Sequence, residues 1–185
     1  MQSYGDIYIM NKITYRKISD TERQQVDNLI EVVLNELERK EFFIPFSKEE
    51  NQRFFDENFG LTLGVFDGNK LVGMAKIYIN QCELSSYKHE LQIADKNVCE
   101  LGDYLVMKEY RGHGIMKTLQ SKLIELAKQL EYDVVIATVH PENIASIRVL
   151  SKHLSIAKTI TTKNGYLRYL MKLILSCTPK AATSF

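Results

Sequence analysis

What this chain has little of narrows it first. Cysteine is sparse: 3 in 185 residues. Cys82, Cys99 and Cys177 stand far apart, with no Cys-x-x-Cys pair and no His at ligand spacing, so neither a disulfide framework nor a metal site is indicated. Cys99 lies in an apolar, strand-like run and reads as a buried, inert thiol of a reduced, cytoplasmic protein. Long hydrophobic runs are missing too. Val134 to Ala137 and Leu173 to Leu175 are among the longest, against the roughly 20 apolar residues needed to span a bilayer, so no membrane partner is expected. Residues 1–20 lack the hydrophobic segment and small-residue cleavage site of a secretory signal. Charge of one sign is also lacking overall: the net value is +1, which argues against wholesale nucleic-acid binding.

What remains is a chain with 45% apolar residues, enough for one sizeable core. Residues 1–185 are therefore expected to form a single domain, with the core over 13–175 and a loose tail over 176–185. The near-neutral total hides an asymmetry. Residues 1–103 carry 12 Lys and Arg against 18 Asp and Glu, whereas 104–185 carry 12 against 5. A cationic ligand would be drawn to the first half and a polyanion to the second, unless these charges simply solvate helix faces.

Hydrophobic periodicity sets the element order. Ile13 to Ile18 reads as a strand, and Asp20 or Thr21 can cap a helix with the stripe Val26, Leu29, Ile30, Val33, Leu34, Leu37. Ser47 with Glu50 three residues later is a capping box, predicting a short helix over Ser47–Phe59. Two β-rich runs, Leu61 to Phe66 and Leu71 to Ile79, flank Asp67-Gly68-Asn69-Lys70 as a hairpin. Asn80 to Asn97 reads as a loop. The strand Val98 to Met107 then runs through a glycine turn into a helix striped with Ile115, Leu119, Leu123, Leu126 and Leu130. Asp133 to Val139 is a short apolar strand suited to burial on both faces. A helix follows His140-Pro141-Glu142-Asn143, and Ile156–Thr162 with Tyr166–Leu175 closes the chain as a second hairpin.

The chemistry concentrates at Arg111-Gly112-His113-Gly114. A helix leaves its first N–H groups without internal partners, and glycines let an anion approach the main chain, so strand, glycine turn and helix start make a pyrophosphate cradle. No Gly-Lys-Ser or Gly-Lys-Thr follows, as a P-loop requires, and Lys117 occupies the third glycine position of a dinucleotide fingerprint. On spacing alone, a plain helix-starting turn is an equal reading. The wider run Tyr104 to Met116, however, resembles the central motif of the GNAT (general-control-related N-acetyltransferase) superfamily. His140-Pro141-Glu142-Asn143-Ile144-Ala145-Ser146-Ile147-Arg148-Val149-Leu150 resembles its second motif, in the right order.

That resemblance implies an α/β (α+β) fold: a mixed, mostly antiparallel sheet of about six to seven strands, splayed between strands 4 and 5, with about four helices on both faces. It implies acetyl-CoA as cosubstrate, no metal, and a small-molecule or protein amine as acceptor, with the enzyme a monomer or homodimer. It puts the pyrophosphate on the backbone of Arg111, Gly112, His113, Gly114, Ile115 and Met116. The pantetheine arm would lie along Leu105, Val106 and Met107, with Asn143 and Ser146 across the splay and Arg148 and Lys152 near the adenosine phosphate. An alkylammonium must lose a proton before it attacks, because its pKa lies near 10. Glu100, six residues before Val106, matches the family's glutamate base; Asp103 is the second candidate, which strand alternation turns to the opposite face unless a bulge intervenes. Many members place a tyrosine acid where Leu150 stands here. Tyr166 is the substitute expected to protonate the departing thiolate, with Tyr169 and Tyr104 behind it. A non-catalytic acyl-CoA-binding sensor or regulatory module is the alternative function.

Overall fold

A computed structural model describes residues 13–44, 46–47, 49–50, 54–162 and 164–175. Strands are β1 (Ile13–Lys17), β2 (Gly60–Asp67), β3 (Lys70–Tyr78), β4 (Val98–Val106), β5 (Val134–Val139), β6 (Ser155–Thr161) and β7 (Leu167–Ile174). Helices are α1 (Arg23–Asn35), α2 (Ser85–Glu90), α3 (Ile115–Gln129) and α4 (Ile144–Leu150). The strands form one seven-stranded sheet in the order β1-β2-β3-β4-β5-β7-β6. Every neighbouring pair is antiparallel except β4–β5, which is parallel.

Local chemistry accounts for most of these elements. The entry to α1 is capped one residue earlier than expected: the Ser19 N–H donates to Glu22 Oε2 at 2.8 Å, closing a Ser-x-x-Glu capping box over a 3-10 turn at Asp20–Glu22. Val26, Leu29 and Val33 then face the core. The β2–β3 turn needs its glycine, since Gly68 has φ +59°; Asn69 stays outside the left-handed region. The second capping box is also made, with the Ser47 N–H donating to Glu50 Oε2 at 2.6 Å and the Glu50 N–H to Ser47 Oγ at 3.1 Å. Residues 51–53 of the helix expected there, like the tail 176–185, lie outside the described residues.

The expected loop over residues 80–97 is a correction: it contains α2. The reason is packing. Leu84, Tyr87 and Leu91 recur at helical spacing and cover a small second core with Val98, Val134, Ile136 and Leu170. The main core takes Val135, Ala137 and Val139 from β5 together with Leu119, Leu123 and Ala127 from α3. Alternate residues of a strand face opposite ways, so β5 is buried on both faces, with α2 over one and α3 over the other.

Candidate active site

The sheet divides at Glu100. β4 and β5 pair only at Val98↔Val134, Cys99↔Val135 and Glu100↔Ile136. Beyond that point β4 stays with β3 as far as Val106, and β5 stays with β7 as far as Val139. A β-bulge accompanies the parting. Met74 pairs with Leu105 but Lys76 with Gly102, so Asp103 and Tyr104 together oppose one residue of β3. Asp103 takes φ +53°, a left-handed conformation that Asp tolerates better than bulkier residues. An extra residue bends its strand and sharpens the local twist, which opens the sheet. Alternation alone would place Glu100 and Asp103 on opposite faces; through the bulge, both line one cavity of about 700 Å³.

The two carboxyls are held in environments that favour their neutral forms. Burial pushes Glu100 up to about 7; Thr138 Oγ1, donating to Glu100 Oε1 at 3.0 Å, works against this and the charge of Asp103 adds to it. Burial likewise raises Asp103 to about 6, opposed by the Tyr78 hydroxyl that donates to it and by Lys76. The charge of Glu100, with burial, raises the phenol of Tyr87 on α2, which lines the same cavity. Tyr104, the next residue on β4 after Asp103, also lines it. Its hydroxyl is buried with no hydrogen-bond partner, and burial keeps that phenol protonated far above neutral pH. Cys99 is buried and pushed up to about 12, so it is no nucleophile at neutral pH.

At the far end of β4 the chain turns through Lys108–Tyr110 and enters α3. Tyr110 is buried and its hydroxyl donates to Asp67 Oδ2 at 2.9 Å, anchoring the turn. Gly112 and Gly114 have φ +82° and +77°, and a Cβ built on either would meet no protein atom within 4 Å. Residues 111–114 are exposed, and Gly114 caps α3 with no side chain on the first-turn amides. Main-chain donors therefore face open space, and added side chains would fill that space without clashing with the protein. The Arg111 side chain folds back instead, with Nε donating to the Val106 carbonyl at 2.9 Å and Nη2 to Glu36 at 2.9 Å.

The fold gathers most of the expected residues and leaves others aside. Met116, Asn143, Ser146 and Leu150 line the cavity that holds Glu100. Asn143 caps α4, its Oδ1 accepting the Ser146 N–H at 3.1 Å. Leu105 and Met107 are buried, and Val106 is half-buried beside them. Tyr166 is not among the residues that line the cavity; it sits in the β6–β7 turn with its ring 5.3 Å from the Arg168 guanidinium. Tyr169 packs against the main core, and Arg148 and Lys152 are exposed. His140 Nδ1 accepts the Glu142 N–H at 3.2 Å, tying its ring to the turn. Sequence reading passed over Thr138, Tyr78 and Tyr87. For Tyr87 a signal existed in the spacing of Leu84, Tyr87 and Leu91; Thr138 and Tyr78 meet the carboxylates only through strand pairing and the bulge.

A mixed sheet opened at a parallel pair, with an exposed glycine turn on one arm and two half-buried carboxyls at the fork, defines an acyl-CoA-type transferase fold. Residues 32–154 match the acetyltransferase (GNAT) family, and the chain belongs to that family. Among solved structures, it resembles a GNAT-family acetyltransferase from Streptococcus pneumoniae at 18% identity and TM-score 0.68, covering 89% of this chain and 100% of that one. A ribosomal-protein-alanine N-acetyltransferase from Brucella melitensis aligns at 24% identity and TM-score 0.64, covering 88% and 99%. The protein yncA from Salmonella typhimurium, solved with its cofactor acetyl-CoA, aligns at 17% identity and TM-score 0.66, covering 90% and 95%. No curated protein matches the chain in sequence. Among the described residues, no helix is long and apolar enough to cross a membrane.

Proposed function

We propose that this protein is an N-acetyltransferase that moves the acetyl group of acetyl-CoA to a primary amine by direct attack in a ternary complex. The observation that carries the reading is the opening of the sheet after Glu100, because one cavity reaches both Met116, Asn143 and Ser146 on the cofactor side and the Glu100 carboxyl. The exposed main chain from Arg111 to Met116, left-handed at Gly112 and Gly114, suits a pyrophosphate. Leu105, Val106 and Met107 would flank the pantetheine arm, opposite Asn143 and Ser146.

Glu100 takes the proton from the attacking ammonium. A base raised to about 7 is well matched to that task, being ionised in an appreciable fraction at neutral pH yet basic enough to hold the proton it removes. As the amine bonds to the acetyl carbon and the carbon–sulfur bond breaks, the thiolate needs a proton in turn. Tyr104, a residue that lines the cavity, is assigned this role in place of Tyr166, which does not line it.

The test is thiol release from acetyl-CoA by the purified full chain with a panel of primary amines. Amine-dependent release, slowed in Glu100→Gln with acetyl-CoA affinity unchanged, is the expected result. Stoichiometric acetyl-CoA binding without release by any acceptor would instead make the protein an acyl-CoA-binding sensor or regulatory module.

A further inference from the structure

Three carboxylates, Glu50, Glu100 and Asp103, line the acceptor side of the cavity. They line it in electrostatic sequence: the charge of Glu50 raises Asp103, and that of Asp103 raises Glu100. The cations nearby are already engaged. Arg168, buried in the same wall, donates to the carbonyls of Leu167 at 2.8 Å and Glu41 at 2.7 Å. Lys76 is buried with its ammonium 2.8 Å from the Phe54 carbonyl, and its pull on Asp103 leaves that carboxyl still raised. Lys158 is spent on Glu90 at 2.5 Å.

One wall of the cavity is aromatic. Phe42, Phe43 and Phe46, on the segment between α1 and β2, form one wall. This segment is tied across the split sheet by the Arg39–Glu142 ion pair, by Arg168 holding the Glu41 carbonyl, and by the Phe42 ring 5.3 Å from that of His140. Aromatic faces held in this way attract ammonium groups.

We infer that the acceptor is a small amine bearing a second ammonium group, a diamine or polyamine rather than a peptide N-terminus, with one nitrogen at Glu100 and the other toward Asp103 and Glu50. This rests on the N-acetyltransferase reading above. Glu100 and Asp103 lie three residues apart on β4. At about 3.3 Å per residue that is at most roughly 10 Å, and less through the bulge, which matches the reach of a short alkyl diamine.

The experiment compares n-butylamine, 1,4-diaminobutane, spermidine and a short peptide with a free N-terminus and uncharged side chains, each in acetyl-CoA thiol-release assays with the wild-type chain. A second charged contact predicts kcat/KM about 10- to 100-fold higher for the diamine than for butylamine. In Asp103→Asn, a substitution that keeps a residue tolerant of positive φ and able to accept from Tyr78, the diamine-to-monoamine ratio should collapse toward one. Equal wild-type rates for diamine and monoamine, or a preference for the uncharged peptide, would overturn the inference and leave the acetyltransferase reading intact. If no acceptor releases thiol, that reading fails instead. Calorimetry of the two amines in the presence of CoA then decides the charge question alone: tighter diamine binding supports it, and equal binding overturns it.

Discussion

The proposed cofactor cradle and the proposed acceptor pocket lie at opposite ends of one strand and are built on opposite plans. The cradle is main chain: the exposed turn at residues 111–114, with two glycines at positive φ. The pocket is side chain. Glu100 and Asp103 come from β4, Tyr78 from β3, Thr138 from β5, Tyr87 from α2, and Phe42 and Glu50 from the segment between α1 and β2. A backbone device recognises what every family member must hold, and a side-chain device can be rewritten for each acceptor. The same contrast explains why the charges at the two ends have different effects: an anion meets fixed N–H dipoles in the cradle, whereas in the pocket it shifts the protonation of neighbours.

The largest expected effect breaks the cradle without touching the pocket. Replacing Gly112 and Gly114 by alanine adds methyl groups that meet no protein atom, but it places them where the phosphates would approach. Acetyl-CoA affinity measured by calorimetry should fall about 100-fold or more, each charged contact to a main-chain amide being worth about 1.5–3 kcal/mol. The left-handed backbone should cost stability as well, about 1–2 kcal/mol per alanine, seen as a Tm lower by several degrees. Undiminished affinity would remove the cradle from this turn.

Glu100→Gln reverses the experiment, striking the pocket and sparing the cradle. Turnover should drop about 100-fold with acetyl-CoA binding intact, as expected for loss of a general base. In the wild type, kcat/KM should climb with pH and level off above about 7, where Glu100 is ionised. In Asp103→Asn the rise should move to lower pH, because the charge that helps raise Glu100 is gone. Stability should report the same group with a definite sign. Glu100 is raised in the folded state above its unfolded value near 4.5, so its contribution is fully present below pH 4.5 and is lost as pH rises through about 7. The buried charge then costs on the order of 2–3 kcal/mol. Glu100→Gln should therefore melt higher than wild type at pH 8 and not at pH 4.5.

Tyr104→Phe separates chemistry from packing inside the pocket. Its hydroxyl has no partner to lose, so removal should leave Tm level or raise it slightly, by up to about 1 kcal/mol of stability. Turnover should nonetheless fall about 10- to 100-fold if the phenol protonates the thiolate. An unchanged rate would return that role to solvent. The smallest effect is expected at Arg39→Ala, which cuts an exposed ion pair to Glu142 at the pocket's edge. Stability should hardly move, since exposed ion pairs contribute little. KM for the acceptor is the quantity to watch, since Phe42 beside it forms part of the wall.

The two regions were unequally legible in the residues themselves. The turn at Arg111 to Gly114 and the stripe of α3 announce themselves through glycine spacing and a period of 3.6, both local properties. Asp103 shows where local reasoning stops. Period-two alternation sends it away from Glu100, and only the register of β3 against β4, Met74 to Leu105 but Lys76 to Gly102, returns it. Residues 80–97 fail for a related reason: a single turn-and-a-half helix with polar flanks looks like a loop until Leu84 and Tyr87 find Val134 and Leu170 beneath them. Tyr166, a hydroxyl in a hairpin turn, lies beside Arg168 and is not among the residues lining the cavity, a placement that its local sequence does not reveal.

By itself the sequence determined the order of the strands and of α1, α3 and α4, the two hairpins and the glycine-rich start of α3, because each depends on contacts within a few residues. Only the tertiary structure decided that β4 and β5 part after Glu100, that a bulge turns Asp103 into the same cavity, and that Thr138, Tyr78 and Tyr87 surround the two carboxyls. Those outcomes depend on strand register and on packing between residues far apart in the chain, where each contact exists only once the whole sheet has formed.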